Sequence, residues 1–270
     1  MDAYKMKNTA RLLLLTIFAL ALNCHYISGN KTRANNFSAP VMDIYSKLDI
    51  VQLLGKYDKT KFHIPYDMEA KKEKTYLGVK TKVVFIDLVK QFRIDPAGYN
   101  MIFFCKDGYS PSVPLGQLLD DNGYLAVADF EAKGNWEDKF PPAYLVWDIT
   151  EDDHHYAFPY GIVSVQLVEK KTEYLLATPK TKDEAIMQGF FLFKEKCIKC
   201  HAINQEGGEF GPELNYPKSV TEYWKIDQLK LFIKNPTDFR QNTKMPLVEL
   251  SAPQIALIVD YLAFMATQKL

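Results

Sequence analysis

The sequence predicts an α+β chain, a mostly-β first part followed by an all-α second part. Between about Val41 and Lys170 the apolar residues fall in short runs rich in β-branched and aromatic side chains, separated by turn pairs such as Asp95-Pro96, Asp107-Gly108 and Pro141-Pro142. Between about Thr181 and Leu270 they recur at helical spacing instead. With 270 residues, 47% of them hydrophobic, the chain is long enough for two modest cores. Its 33 basic and 33 acidic residues cancel, so no basic face for gripping nucleic acid is expected.

The first element is an export segment. Lys5, Lys7 and Arg11 precede an apolar run from Leu12 to Leu22, the layout of a signal peptide. The run is shorter than the roughly 20 apolar residues of a membrane helix. An uncleaved inner-membrane anchor is the alternative. Cys24 closes the run, and "LALNC" resembles a bacterial lipoprotein box, with Asn23 where a small residue is usual. The resemblance implies lipidation of Cys24 and a periplasmic, membrane-anchored protein. Residues 25–40 are polar and suit a tether; an ordinary signal peptide cleaved nearby would leave the same tether without the lipid.

In residues 41–170 the strand-like runs are "KVVFIDLV", "YNMIFFC", "YLAVADF", "AYLVWDI" and "IVSVQLVE". The first equally suits a helix, since Phe85, Leu88, Val89 and Phe92 stand at i, i+3, i+4 and i+7. Three stretches, "YLGVKTKVVFIDLVKQF", "CKDGYSPSVPLGQLL" and "HHYAFPYGIVSVQLVE", resemble the small molybdopterin-type domain of the sulfite oxidase family. In that family the molybdenum ligand is a cysteine upstream of the Gly-Val strand, and "GKYDKTKFHIPYDMEAKKEK" contains none. The resemblance therefore implies the fold without the metal, with molybdopterin not expected and the domain serving as a partner-binding module. Cys105 reads as a buried core thiol. His63, His154 and His155 are surface candidates for a metal, but neighbouring residues on a strand point to opposite faces.

"KKTEYLLATPKTK" is charged and holds one proline, so residues 171–180 read as a linker with a domain boundary near Pro179. Next comes "DEAIMQGFFLFKEKCIKCH", helical up to its cysteines. At i, i+3 and i+4 of a helix, Cys197, Cys200 and His201 share a face. C-x-x-C-H is the attachment signature of c-type haem, in which two thioethers hold the macrocycle and the imidazole takes the proximal iron position. A zinc site would need further ligands, and no second pair at zinc spacing follows His201. A thioredoxin-like pair would open a helix rather than close one.

From about Thr181 to Leu270 the sequence resembles a class I cytochrome c domain, through "CIKCH", "GGEFGPELN", "NTKMPLVEL" and the final "SAPQIALIVDYLAFMA". The resemblance implies one covalent haem c. It implies a close crossing of first and last helices at Gly189, with Tyr261 and Leu262 on the last. It also implies a hydrogen bond from His201 to the Pro212 carbonyl, and Met245 as the distal iron ligand. Met265, on the last helix, is the competitor and reads as core, while His154 and His155 are outside candidates. Trp224, Leu229, Leu231 and Phe232 of the middle helix are expected to line the haem pocket.

A haem with both axial positions filled leaves no vacant site for substrate and suits electron transfer. The expected partners are redox proteins. Lys194, Lys196 and Lys199 would either steer an acidic partner or form a solvated helix face. The alternatives are a sulfite-dehydrogenase-like molybdenum enzyme with a fused haem domain, and a haem-based sensor.

Overall fold

The strand runs assemble into two four-stranded antiparallel sheets in a computed structural model, which describes residues 45–270 apart from 133–135, 138 and 151–154. The export segment, Cys24, the tether and His154 lie outside the described residues. One sheet has the order β1 (Leu48–Asp49), β8 (Ile162–Glu169), β4 (Tyr99–Cys105), β5 (Ser112–Pro114), and a short helix α1 (Ile50–Leu54) follows β1. The other has the order β2 (Thr60–Asp67), β3 (Lys72–Lys80), β6 (Gly123–Asp129), β7 (Tyr144–Trp147).

"KVVFIDLV" is helical, within α2 (Thr81–Phe92), which buries Val84, Phe85 and Leu88 and ends at Arg93 in the left-handed region with φ 53°. Phe85 meets Phe103 of β4 edge to face at 6.2 Å, a geometry that suits the ring quadrupoles. Strand β2 was not expected. Its Pro65 argues against a strand, and is accommodated because β2 is an edge strand whose register shifts between Ile64 and Asp67. Gly78 of β3 is needed for close backbone approach: a Cβ there would stand 2.2 Å from the Leu125 carbonyl oxygen. A one-turn helix α3 (Leu115–Leu118) follows β5.

The near-continuous apolar run of β4 has a simple cause. Met101 and Phe103 are fully buried, while Ile102 joins the core of the helical part, with Phe104 and Val168 packed against it. The sheet is thus covered on both faces, and Asp43–Leu270 form one compact unit.

The expected linker is part of that packing. Glu173, Tyr174 and Ala177 are buried, because "EYLLA" is apolar in its centre. The Glu173 carboxylate accepts hydrogen bonds from Asn100 Nδ2 (3.1 Å) and the Ser112 hydroxyl, and pairs with Lys194 Nζ at 2.8 Å. The Tyr261 hydroxyl donates to the Ala177 carbonyl at 2.7 Å.

The helical part begins with α4 (Glu184–Lys196), capped by Asp183, whose side chain accepts from Ala185 N and Ile186 N. A small hairpin follows, β9 (Ala202–Ile203) with β10 (Glu206–Gly207). The middle helix is three pieces: α5 (Val220–Tyr223), α6 (Ile226–Lys234) and α7 (Pro236–Phe239). Extended backbone at Trp224 separates the first two, and Pro236 separates the last. The final helix α8 (Ala252–Met265) opens with a capping box of Ser251 and Gln254. Helices α4 and α8 cross at Gly189, where a Cβ would lie 2.1 Å from the Leu257 carbonyl oxygen and 2.8 Å from Tyr261 Cβ. Among the described residues no helix is long and apolar enough to cross a membrane.

Candidate haem centre

The motif residues leave the helix rather than extend it. Helix α4 stops at Lys196, and the next four residues form a turn in which Cys200 N and His201 N both donate to the Cys197 carbonyl at 3.0 Å. These i+3 and i+4 bonds keep the geometry that brings the three side chains together. Ile198, 2% exposed, anchors the turn in the core.

Cys197, Cys200 and His201 all line one cavity of about 320 Å³. The volume lies within the range of small-molecule and cofactor sites, roughly 300–1,000 Å³. Its other walls are mostly apolar, including Phe193, Leu214, Ile258 and Leu262, with Arg240, Thr243 and Lys244 as polar members. Trp224, Leu229 and Phe232 line it as expected, and Leu231 does not: it is 55% exposed, on another face of α6.

His201 Nδ1 lies 2.8 Å from the Pro212 carbonyl oxygen. A carbonyl only accepts, so Nδ1 carries the proton and Nε2 keeps a lone pair for a metal. Burial pushes the His201 imidazole below its ordinary value, opposed by that carbonyl, which favours the neutral ligand form at neutral pH. Burial pushes the Cys197 thiol up to about 12 and the Cys200 thiol upward, with Lys199 opposing both. Gly211 lies against the imidazole so closely that a Cβ would be 2.3 Å from Cε1. The Glu213 carboxylate fixes the loop by accepting from the backbone N–H of Asn204, Gln205, Asn215 and Tyr216. Sequence reasoning missed Glu213; the neighbouring Asn and Gly residues were its only signal.

Met245 is half-buried, lines the same cavity as His201, and is followed by Pro246. Its backbone N–H donates to the Thr243 hydroxyl at 3.3 Å. Met265 is 1% exposed in the core of α8 and does not reach the cavity. A mostly apolar cavity that gathers two thiols, an imidazole with a free lone pair and a thioether has a donor set that fits a c-type haem.

The β-rich part contributes a wall that the sequence did not suggest. Ser110 N donates to the Lys199 carbonyl and Glu209 N to the Gly108 carbonyl, each at 2.8 Å. Gly108 has φ 89°, and a Cβ there would stand 2.5 Å from the Glu209 carbonyl carbon. Of the three lysines around the motif, Lys194 pairs with buried Glu173, and Lys196 with Glu195 at 2.7 Å. Cys105 is buried on β4 with its thiol pushed up to about 12 by burial. His63 is exposed and 3.9 Å from Glu73, and His155 is exposed near Gln117.

Residues 186–265 match the family model described as Cytochrome c. No curated protein and no solved structure matches the chain. The family match supports a c-type cytochrome domain over residues 186–265 and a haem electron-transfer role, and implies covalently bound haem c and redox protein partners.

Proposed function

We propose that the chain is an exported, lipid-anchored periplasmic cytochrome that carries one haem between redox proteins, with its β-rich part serving as the module that selects the partner. The observation that carries the reading is that Cys197, Cys200, His201 and Met245 come together around one mostly apolar cavity. Cys197 and Cys200 would hold the haem as thioethers, and His201 and Met245 would supply donor atoms to its iron. The group would supply reversible one-electron chemistry at that position. The residues of the chain do the rest. The Pro212 carbonyl orients the imidazole and raises its donor strength, while Trp224, Leu229 and Phe232 keep water from the cavity and so tune the potential. A sulfite oxidase-like β-rich domain without molybdenum fits the burial of Cys105 in its sheet. Cys24 would carry the lipid.

The test is to express the full chain with a c-haem maturation system in a molybdenum-replete host and measure iron and molybdenum per polypeptide. One iron without molybdenum supports the proposal. One of each would replace it with a molybdenum enzyme feeding a fused haem, and no iron would remove the haem reading.

A further inference from the structure

A second cavity, about 760 Å³, lies between the β-rich part and the attachment turn. It shares Cys200, Phe210, Lys244 and Pro246 with the haem cavity, so the two spaces are neighbours across those side chains. Several rings stand among its remaining walls, including Tyr109, Phe158 and Tyr160 from the β-rich part and Phe191 from α4. Phe191 is 57% exposed on a helix whose other phenylalanines, Phe190 and Phe193, are buried. Flat faces on several sides suit a planar ligand, and tyrosine hydroxyls add polar contacts at the ring edges.

The charges around the cavity narrow the class. Three of its carboxylates are already matched: Glu69 by Lys139 at 3.2 Å, Glu173 by Lys194 at 2.8 Å, and Glu195 by Lys196 at 2.7 Å. Asp107 accepts from Tyr109 N at 3.0 Å. Lys199 and Lys244 also line the cavity, and among the described residues neither pairs with a carboxylate. These two lysines stand next in sequence to Cys200 and Met245, and Lys244 also lines the haem cavity; with Asp107 the one lining carboxylate that no lysine meets among the described residues, the balance at the cavity is one positive charge in excess.

We propose that this cavity binds a small planar aromatic anion of the hydroxybenzoate class. Its position beside a haem rests on the proposed function above; the binding does not.

Calorimetric titration of the haem-loaded full chain with 4-hydroxybenzoate tests the proposal, with cyclohexanecarboxylate (charge without the ring) and phenol (ring without the charge) as comparisons. The expected result is binding of 4-hydroxybenzoate at least about fivefold tighter than either, weakened about fivefold by Phe191→Ala and by Lys199→Gln. Phe191 is exposed, so its loss leaves the core intact. No heat at millimolar ligand, equal binding of all three, or indifference to both substitutions overturns the proposal. A fluorescent member of the class, 6-hydroxy-2-naphthoate, separates the two readings. Bound probe with quenched emission supports both, whereas bound probe with unquenched emission supports the site and overturns its place beside a haem.

Discussion

Methionine is a soft, neutral and flexible donor, and Met245 is the methionine that shares a cavity with His201 among the described residues. Met245→Ala is expected to abolish the low-spin spectrum and lower the reduction potential, whereas Met265→Leu should leave both in place. Potentiometric titration with visible spectroscopy checks this, and an unchanged spectrum in Met245→Ala would remove that residue from the iron. Cys105 gives a second prediction at this scale. With its thiol buried and pushed up to about 12, it should resist iodoacetamide at neutral pH in the native chain and react once denatured. Peptide mapping by mass spectrometry reads the difference. The motif was legible because its chemistry needs neighbouring residues. The lysines around it were harder, since Glu173, the partner of Lys194, lies 21 positions away and looked like linker.

Elements were legible where one face decides. "YNMIFFC" and "IVSVQLVE" are strands over those residues, because β-branched and aromatic runs of that length suit a covered sheet. "KVVFIDLV" fitted both periods, and only its packing on β3, β6 and α3 selects the helix. Strand β2 was hidden by Pro65, whose missing N–H matters little at a register shift on an edge. The crossing of α4 and α8 supplies the prediction for this scale. Gly189→Ala must push Leu257 and Tyr261 aside, and is expected to destabilise the haem-loaded protein by about 1–3 kcal/mol, read from the shift of the guanidinium midpoint. Alanine favours an isolated helix over glycine, so a gain in stability would mean that the close approach carries no weight.

For the whole molecule, the shared core of Ile102, Tyr174, Phe190 and Tyr261 predicts cooperative unfolding. Tryptophan fluorescence, which weights Trp136 and Trp147 of the β-rich part, and haem absorbance should report coincident denaturation midpoints. Separate midpoints would restore the two independent units that the charged sequence of residues 171–180 suggested. The pH dependence follows from Glu206, whose carboxylate accepts from Leu176 N at 2.6 Å and Ala177 N at 3.1 Å. Burial outweighs those donors and raises its pKa above the ordinary 4.5. The folded state therefore holds this proton more tightly than the unfolded one. The associated stability is complete below about pH 4.5 and is lost as pH rises through the folded value. Glu206→Gln should flatten that part of the pH profile, and denaturation midpoints between about pH 4 and 7 check it.

The seating of Gly108 and Ser110 against Lys199 and Glu209 also makes the attachment turn answerable to the β-rich part. A side chain at position 108 has no room beside the Glu209 backbone, so even a small substituent there acts as a wedge on the turn that carries both thiols, far along the sequence.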